Sequence, residues 1–177
     1  LMFFTSDNGA AKRFDGIHNS SGVMQGKKRS LNEGGIRVPM VVRWPGKIKA
    51  GRVSSHPWYF PDVMPTFAEI GGVSTEVPED IDGISILPTL LDEGEQKLHE
   101  YMFWHYGVRA VRSGKWKGIG KGGHLYLYDL SEDIEEKNDL SSKHPEIAAR
   151  MKKYITIGYR EPRSQKDDGK YTGKDKK

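Results

Sequence analysis

The opening stretch of the sequence constrains the fold most, because an apolar run at residues 1–4 (LMFF) leads directly into the polar residues 5–9 (TSDNG). A short apolar run that ends in a turn signal predicts a buried strand, and in open parallel sheets ligands collect at the carboxyl ends of the strands. Asp7 and Asn8 follow such an end and offer hard oxygen donors, which suit calcium or magnesium rather than zinc or copper. The alternative is an ordinary Asn-Gly turn, in which the aspartate hydrogen-bonds its own backbone.

A second informative stretch, residues 26–39, reads GKKRSLNEGGIRVP. Its basic residues 27–29 suit either an anion-binding loop or an ordinary solvated loop. The paired glycines, Gly34 and Gly35, indicate backbone that is strained or closely approached by other groups. We expect Glu33 and Arg37 to brace this loop rather than to take part in chemistry.

Taken together, the two stretches resemble the formylglycine-dependent sulfatases of the alkaline phosphatase superfamily. The resemblance implies that Asp7 and Asn8 are calcium ligands, with magnesium as the alternative ion, and that Lys28 contacts the sulfate group. An ammonium is a compact partner for the charged oxygens of a sulfate ester, which agrees with that role for Lys28. Asn32 departs from the family, in which an aromatic residue is common at this position, and the departure bears on the packing of the loop.

Two histidines are candidate substrate-binding residues. His18 lies in an irregular loop between the two stretches, and long ordered loops are usually functional, so it would reach a pocket rim. His105 precedes a predicted loop of the later sheet and would face the same pocket. The alternatives are an exposed loop histidine for His18 and a half-buried histidine between strands for His105.

The rest of the sequence predicts the remaining elements. Residues 39–44 read as a strand, and residues 62–70 as a short helix capped by Asp62 and ended by two glycines. Four short runs rich in aromatic and β-branched residues, at 101–105, 108–112, 115–119 and 125–130, predict an antiparallel meander. A helix over 145–155 would cover that sheet with a stripe at helical spacing, made of Ile147, Met151, Tyr154 and Ile155.

These elements predict an α/β fold. The resemblance implies that residues 1–98 are the carboxyl-terminal part of the sulfatase catalytic α/β domain, at the end of its alkaline-phosphatase-like parallel sheet. Residues 99–158 would form a small α+β subdomain, in which a helix packs on the four-stranded antiparallel sheet. Residues 159–177 form a basic tail that we expect to be flexible. Seven Lys or Arg and four Asp or Glu fall in this tail, so only +1 of the net charge of +4 belongs to the remaining chain.

The charge distribution gives little support for a nucleic-acid partner, and no recognition motif accompanies it. No apolar stretch approaches the roughly 20 residues needed to cross a bilayer. Cysteine is absent, so thiolate chemistry and disulfides are excluded. By resemblance, we expect a periplasmic, secreted or lysosomal setting.

The resemblance also implies a formylglycine nucleophile, made from a Cys or Ser in a Cys/Ser-x-Pro-x-Arg motif, and no such motif occurs in this sequence. Residues 55–59 (SHPWY) begin correctly but end in Tyr59 where arginine is required. We therefore expect the chain to be the carboxyl-terminal portion of a sulfatase, with the nucleophile in a missing amino-terminal part. By itself, the chain should not turn over a sulfate ester.

Three functions remain open at this level. The first is hydrolysis of a sulfate ester, whose substrate could be a sulfated sugar. A phosphate or phosphonate ester hydrolase of the same superfamily would share the metal pair and the fold. A non-catalytic module that binds sulfated glycans would use the basic loop and tail.

Overall fold

The computed structural model describes residues 1–14 and 17–161. In chain order, its elements are β1 (Met2–Thr5), α1 (Glu33–Ile36), β2 (Met40–Arg43), α2 (Val63–Ile70), α3 (Leu87–Leu91), β3 (Met102–Tyr106), β4 (Val108–Ser113), β5 (Trp116–Lys121), β6 (His124–Asp129) and α4 (Pro145–Gly158). Single 3₁₀ turns occur at Lys12–Phe14, Phe60–Asp62 and Ser74–Glu76. Most of the predicted basic tail lies outside the described residues.

The contacts divide the chain into two compact units. The first unit contains Leu1–Thr5 and Pro39–Met102, and the second contains Ser6–Val38 with the described part of Phe103–Lys177. Residues 6–38 are thus grouped with the later sheet, which the predicted boundary at residue 98 did not anticipate. The assignment of residues 1–98 to the catalytic domain of a longer enzyme stays a prediction.

In the first unit, β1 and β2 form a two-stranded antiparallel sheet in which Phe4 lies opposite Val41. Phe3 points to the other face, where its ring packs edge-on against Phe67 at a centroid distance of 5.6 Å. Phe4 and Val41 are 71% and 62% exposed. The predicted strand exists, but the prediction that it is buried is wrong for the described residues, because only one face of this sheet is covered.

Helix α2 agrees with the predicted helix and ends just before Gly71, as expected. Asp62 precedes it but makes no side-chain cap hydrogen bond, so the predicted cap is wrong. The buried Asp62 carboxylate instead accepts hydrogen bonds from the backbone N–H groups of Tyr59 and Ile84, at 3.0 and 2.9 Å. Its Oδ1 also lies 2.9 Å from Nε2 of His99. Asp62 therefore joins distant segments of the first unit, a role that local spacing could not reveal.

The second unit is built on the sheet β3-β4-β5-β6, whose four strands confirm the predicted meander. β4 pairs antiparallel with β5, and β5 pairs antiparallel with β6. Helix α4 packs on β4, β5 and β6 and buries Ala148, Met151 and Tyr154. Of the predicted apolar stripe, Met151 and Tyr154 are confirmed as core, whereas Ile147 and Ile155 are only partly buried. No helix among residues 1–14 and 17–161 is both long and apolar enough to cross a membrane.

Met151 of α4 should contribute strongly to the stability of this unit, because its side chain is fully buried between the helix and the sheet. We expect Met151→Ala to lower the free energy of unfolding by about 2–5 kcal/mol, since it removes buried methylene groups and leaves a cavity. Denaturant unfolding measures the change. The neighbouring exposed residue gives the control, and Lys152→Ala should change the free energy by less than about 0.5 kcal/mol. Equal effects of the two substitutions would contradict the packing described here.

Candidate functional site

Backbone hydrogen bonds bring the two informative stretches of the sequence together in the second unit. The N–H of Gly9 donates to the carbonyl of Gly35 at 2.9 Å, and the N–H of Lys28 donates to the carbonyl of Ala10 at 2.9 Å. The segment with Asp7 and Asn8 therefore runs beside the loop that carries Lys28. The structure brings these three predicted site residues into one neighbourhood through their main chains.

The glycines at this junction are needed because backbone atoms approach one another closely. A Cβ atom on Gly9 would lie 2.0 Å from the carbonyl oxygen of Gly34. A Cβ atom on Gly35 would lie 2.1 Å from the carbonyl oxygen of Ser30. Real Cβ atoms do not make such contacts, so a side chain on Gly9 would push the two stretches apart, and one on Gly35 would distort the second stretch itself. The sequence-based expectation of close approach at the paired glycines is confirmed.

Lys28 lies at the tip of a tight turn and is exposed. The N–H of Ser30 donates to the carbonyl of Lys27 at 2.8 Å, which closes the turn around Lys28 and Arg29. Arg29 has a φ of 77°, in the left-handed region that residues other than glycine rarely adopt. Such a conformation persists only where the surroundings impose it, and strained residues of this kind concentrate at ligand-binding sites.

Asp7 and Asn8 lie in a bend after β1, where the hydroxyl of Ser6 donates to the carbonyl of Asn8 at 2.8 Å. The Asp7 carboxylate is exposed. The oxygen donors of Asp7 and Asn8 suit calcium, but two residues are too few to hold it, because calcium takes six to eight oxygen ligands. Within residues 1–14 and 17–161, no group of three or more His, Cys, Asp or Glu side chains is arranged to hold a metal ion. These two residues can therefore supply only part of such a site.

A buried ion cluster lies beneath the loop. Nζ of Lys117, in β5, lies 2.8 Å from Oε1 of Glu33 and 2.9 Å from Oε1 of Glu136. Each of the three side chains is 3% exposed or less. Arg37 adds a more distant contact, with its guanidinium 3.6 Å from the Glu33 carboxylate. The prediction that Glu33 and Arg37 brace the loop is confirmed.

The electrostatics around the cluster reflect its burial. Burial lowers the pKa of the Arg112 guanidinium, although the charge of Glu33 opposes this shift. Burial, aided by the charge of Glu136, raises the pKa of the Tyr128 phenol to about 12. Burial is the largest cause of both shifts, so the surroundings of the cluster are shielded from solvent.

The two candidate histidines occupy other positions in the second unit. His18 is exposed, as the alternative interpretation expected, and its ring centroid lies 6.3 Å from that of Phe14. His105 lies in β3 and is exposed, so the half-buried alternative is wrong. Its ring packs edge-on against Tyr159 at 5.3 Å, while the Arg109 guanidinium lies 3.5 Å from the centroid of the same tyrosine ring. A substrate-binding role stays a prediction for both histidines.

Sequence reasoning missed Lys117 and Glu136. The missed signal was a lysine in the middle of the third strand of a four-stranded meander. In the structure, Lys117 lies on the face of the sheet opposite α4, because the next residue, Gly118, faces Met151 of that helix. Lys117 lies opposite Arg112 on one side and Tyr128 on the other, so it belongs to an inner strand. Lysine is almost never fully buried unless it is paired, which should have prompted a search for acidic partners.

A family model described as the carboxyl-terminal region of N-sulphoglucosamine sulphohydrolase matches residues 25–159. The steryl-sulfatase of Mus musculus is 38% identical over 66% of this chain and 19% of its own length. An N-acetylgalactosamine-6-O-sulfatase of Bacteroides thetaiotaomicron is 30% identical over 88% of this chain and 35% of its own length. The chain thus spans about a fifth to a third of the length of these curated relatives.

A solved structure shares the fold. It is a Bacteroides thetaiotaomicron protein labelled 6S-sulf and described in connection with the metabolism of multiple glycosaminoglycans. The TM-score is 0.72 at 28% identity, and the match covers 89% of this chain and 38% of the other. The mixed α/β architecture of this chain therefore recurs within a larger protein.

The glycine junction gives a direct test of the site geometry. A Cβ atom on Gly34 would lie 2.4 Å from the carbonyl oxygen of Gly26 and 2.6 Å from that of Gln25. We expect Gly34→Ala to lower the free energy of unfolding by about 1–3 kcal/mol, because the backbone must move to admit the methyl group.

Thermal unfolding of Gly34→Ala and of a control, Gly120→Ala, gives the comparison. At Gly120 the nearest atom to an added Cβ is the flexible end of Ile155, at 3.3 Å, so the control should be destabilised less. If Gly34→Ala were as stable as the unsubstituted protein, the close approach of Gly34 to the carbonyl groups of Gln25 and Gly26 would be refuted.

Proposed function

Because this chain belongs to the sulfatases, as the carboxyl-terminal region of that family, we propose that it is part of an enzyme that hydrolyses a sulfate ester. The observation that carries this proposal is the backbone pairing of the Asp7–Asn8 segment with the Lys28 loop. This pairing supports the proposal because it puts the candidate oxygen donors and the candidate ammonium on neighbouring segments of one unit.

In the proposed reaction, the Lys28 ammonium binds the charged oxygens of the sulfate group. As the bond to the leaving group breaks, its electron pair moves to the leaving oxygen, so negative charge develops there, beside the charged sulfate oxygens. A fixed positive charge beside them stabilises the transition state more than the ground state, and this raises the rate. The closed turn at residues 27–30 supports this role, because it limits the positions that Lys28 can occupy.

Asp7 and Asn8 would supply two oxygen ligands to a calcium ion, and magnesium is the alternative ion. When bound, the ion would add positive charge next to the sulfate oxygens. The side chains of this chain would hold the ion against the bend that follows β1. The exposed Asp7 carboxylate supports this assignment, since it is accessible to an ion and to ligands from elsewhere in the enzyme.

We propose a sulfated sugar as the substrate class. The bacterial relative named as an N-acetylgalactosamine-6-O-sulfatase and the solved structure linked to glycosaminoglycans support this choice. The steryl-sulfatase relative supports a steryl sulfate instead. His18 and His105 are the candidate residues for contacts with the group that carries the sulfate.

The proposal places the nucleophile outside these 177 residues, because the sequence contains no Cys/Ser-x-Pro-x-Arg motif. The chain by itself would then bind neither calcium nor sulfate tightly and would not hydrolyse an aryl sulfate. A periplasmic, secreted or lysosomal setting goes with the proposed family role. A phosphate or phosphonate ester hydrolase and a glycan-binding module are the competing functions, and each predicts a different result below.

Lys28→Ala in the intact enzyme tests the anion-binding role. We expect kcat/KM for an aryl sulfate to fall about 100- to 1,000-fold, equivalent to about 2.7–4 kcal/mol, because one charged stabiliser of the transition state is lost. Lys121→Ala is the matched control, since Lys121 is an exposed lysine of the same unit. Steady-state kinetics on an aryl sulfate and an aryl phosphate measure both effects.

An unchanged kcat/KM for Lys28→Ala would remove Lys28 from the site. A wild-type enzyme that prefers the phosphate ester would favour the phosphatase alternative. If the intact enzyme binds a sulfated glycan but hydrolyses neither ester, the binding module is favoured.

Calcium removal tests the proposed metal site. Chelation should abolish activity of the intact enzyme, and added calcium should restore it. Bound calcium should also raise the melting temperature, because it binds only the folded state. Asp7→Ala should require more calcium for the same rise, whereas Glu132→Ala, at an exposed site of the same unit, should not. A melting temperature that does not respond to calcium would refute the metal assignment.

A further inference from the structure

The loop that carries Lys28 is held at both ends by a single residue of a distant segment. Before Lys28, the side-chain amide of Gln25 donates from Nε2 to the backbone carbonyl of Glu136 at 3.3 Å. After Lys28, the backbone N–H of Glu33 donates to Oε2 of Glu136 at 2.7 Å. Glu136 therefore fixes the distance between the two ends of the loop.

Lys117 completes this arrangement from the sheet. Its ammonium contacts the carboxylates of both Glu33 and Glu136, and its side chain is fully buried. Without Lys117, two buried carboxylates would face each other and repel. The lysine thus offsets the repulsion between the two carboxylates and lets Glu136 keep its hydrogen bond to the loop.

The backbone of Glu136 is held in an unfavourable conformation. Its φ is 54°, in the left-handed region that non-glycine residues rarely occupy. The neighbouring Asp133 stabilises this turn, because its carboxylate accepts hydrogen bonds from the N–H groups of Lys137 and Asn138 at 3.1 and 2.8 Å. Glu136 thus combines a strained backbone, a turn that Asp133 stabilises, and a carboxylate that contacts another segment. This combination indicates a position under functional constraint.

Hydrogen bonds also link Glu33 to the turn that contains Lys28. Glu33 begins α1, and the preceding Asn32 shares hydrogen bonds of 3.0 and 3.1 Å with the hydroxyl of Ser30. Ser30 in turn closes the turn that has Lys28 at its tip. A shift of Glu33 would therefore move Ser30 and with it the turn.

We propose that Glu136 and Lys117 are positioning residues for Lys28, which hold its loop at the separation that anion binding requires. This role rests on the proposed function of Lys28. The antiparallel sheet of the second unit would then contribute to catalysis without contacting the substrate. We call the contacts of Glu136 and Lys117 with the Lys28 loop the clamp. Misplacement of a binding group by about 1 Å can reduce a rate about 100-fold, so loss of the clamp should lower kcat/KM measurably.

The test uses two substitutions at one position of the intact enzyme. Glu136→Gly removes the carboxylate and relieves the left-handed backbone, so the turn itself is not penalised. Glu136→Gln keeps an oxygen that can accept from the Glu33 N–H but cannot pair ionically with Lys117. With an aryl sulfate as probe, we expect kcat/KM to fall about 10- to 100-fold for Glu136→Gly and less for Glu136→Gln.

A double substitution separates positioning from a merely structural role. If Glu136 acts through Lys28, adding Glu136→Gly to Lys28→Ala should reduce kcat/KM little further, because the positioned group is already absent. Met151→Ala is the matched control. It weakens the same unit without touching the clamp, so kcat/KM per folded molecule should stay at the wild-type value. Circular dichroism gives the folded fraction of each variant.

The outcomes distinguish this inference from the function on which it rests. If Lys28→Ala lowers kcat/KM but both Glu136 substitutions leave it unchanged, the positioning role is refuted and the proposed function stands. Positioning is also refuted if the double variant loses kcat/KM by the product of the two single fold-reductions, those of Glu136→Gly and Lys28→Ala. If Lys28→Ala has no effect, both the role of Lys28 and its positioning are refuted. If Glu136→Gly does not fold, Glu136→Gln decides the question alone.

Discussion

The contact of one buried ammonium with two buried carboxylates organises the second unit. Lys117 comes from an inner strand, Glu33 from the first residue of α1, and Glu136 from the loop that follows β6. Removing such charges from water costs several kcal/mol for each ion, and the attraction between them recovers this cost only in good geometry. The cluster is therefore weak as a source of net stability. Its physical effect is that only one arrangement of the three segments satisfies all the charges.

Apolar packing reinforces the same arrangement. Leu31, two residues before Glu33, belongs to a buried cluster with Ala110, Ile119 and Tyr128 of the sheet and with Leu130, which follows β6. The loop that carries Lys28 is thus anchored by burial on one side and by charge on the other, while its tip remains exposed. A rigid base with an accessible tip suits a group that must meet a small anion in a fixed geometry.

The sequence predicted the elements whose pattern is local. The four strands of the meander and helix α4 followed from short runs of β-branched and aromatic residues and from a stripe at helical spacing. Predictions failed where the partner of a residue is distant. Asp62 looked like a helix cap but binds Tyr59, Ile84 and His99, and the first apolar run looked buried although Phe4 is exposed. Local spacing carries no information on which distant groups meet a carboxylate or cover a strand.

For the candidate site, the residue types made Asp7 and Asn8 candidate oxygen donors for a cation, and paired glycines indicated a close approach of backbone. The role of Lys28 in binding an anion came from the resemblance to the sulfatases. Only the tertiary structure showed that this approach is made by Gly9 against Gly34 and Gly35, and that Glu136 and Lys117 hold the loop. The reason is physical. A side chain's chemistry belongs to its residue type and is readable from the sequence, whereas the placement of one charge beside another depends on long-range contacts that form only when the chain has folded.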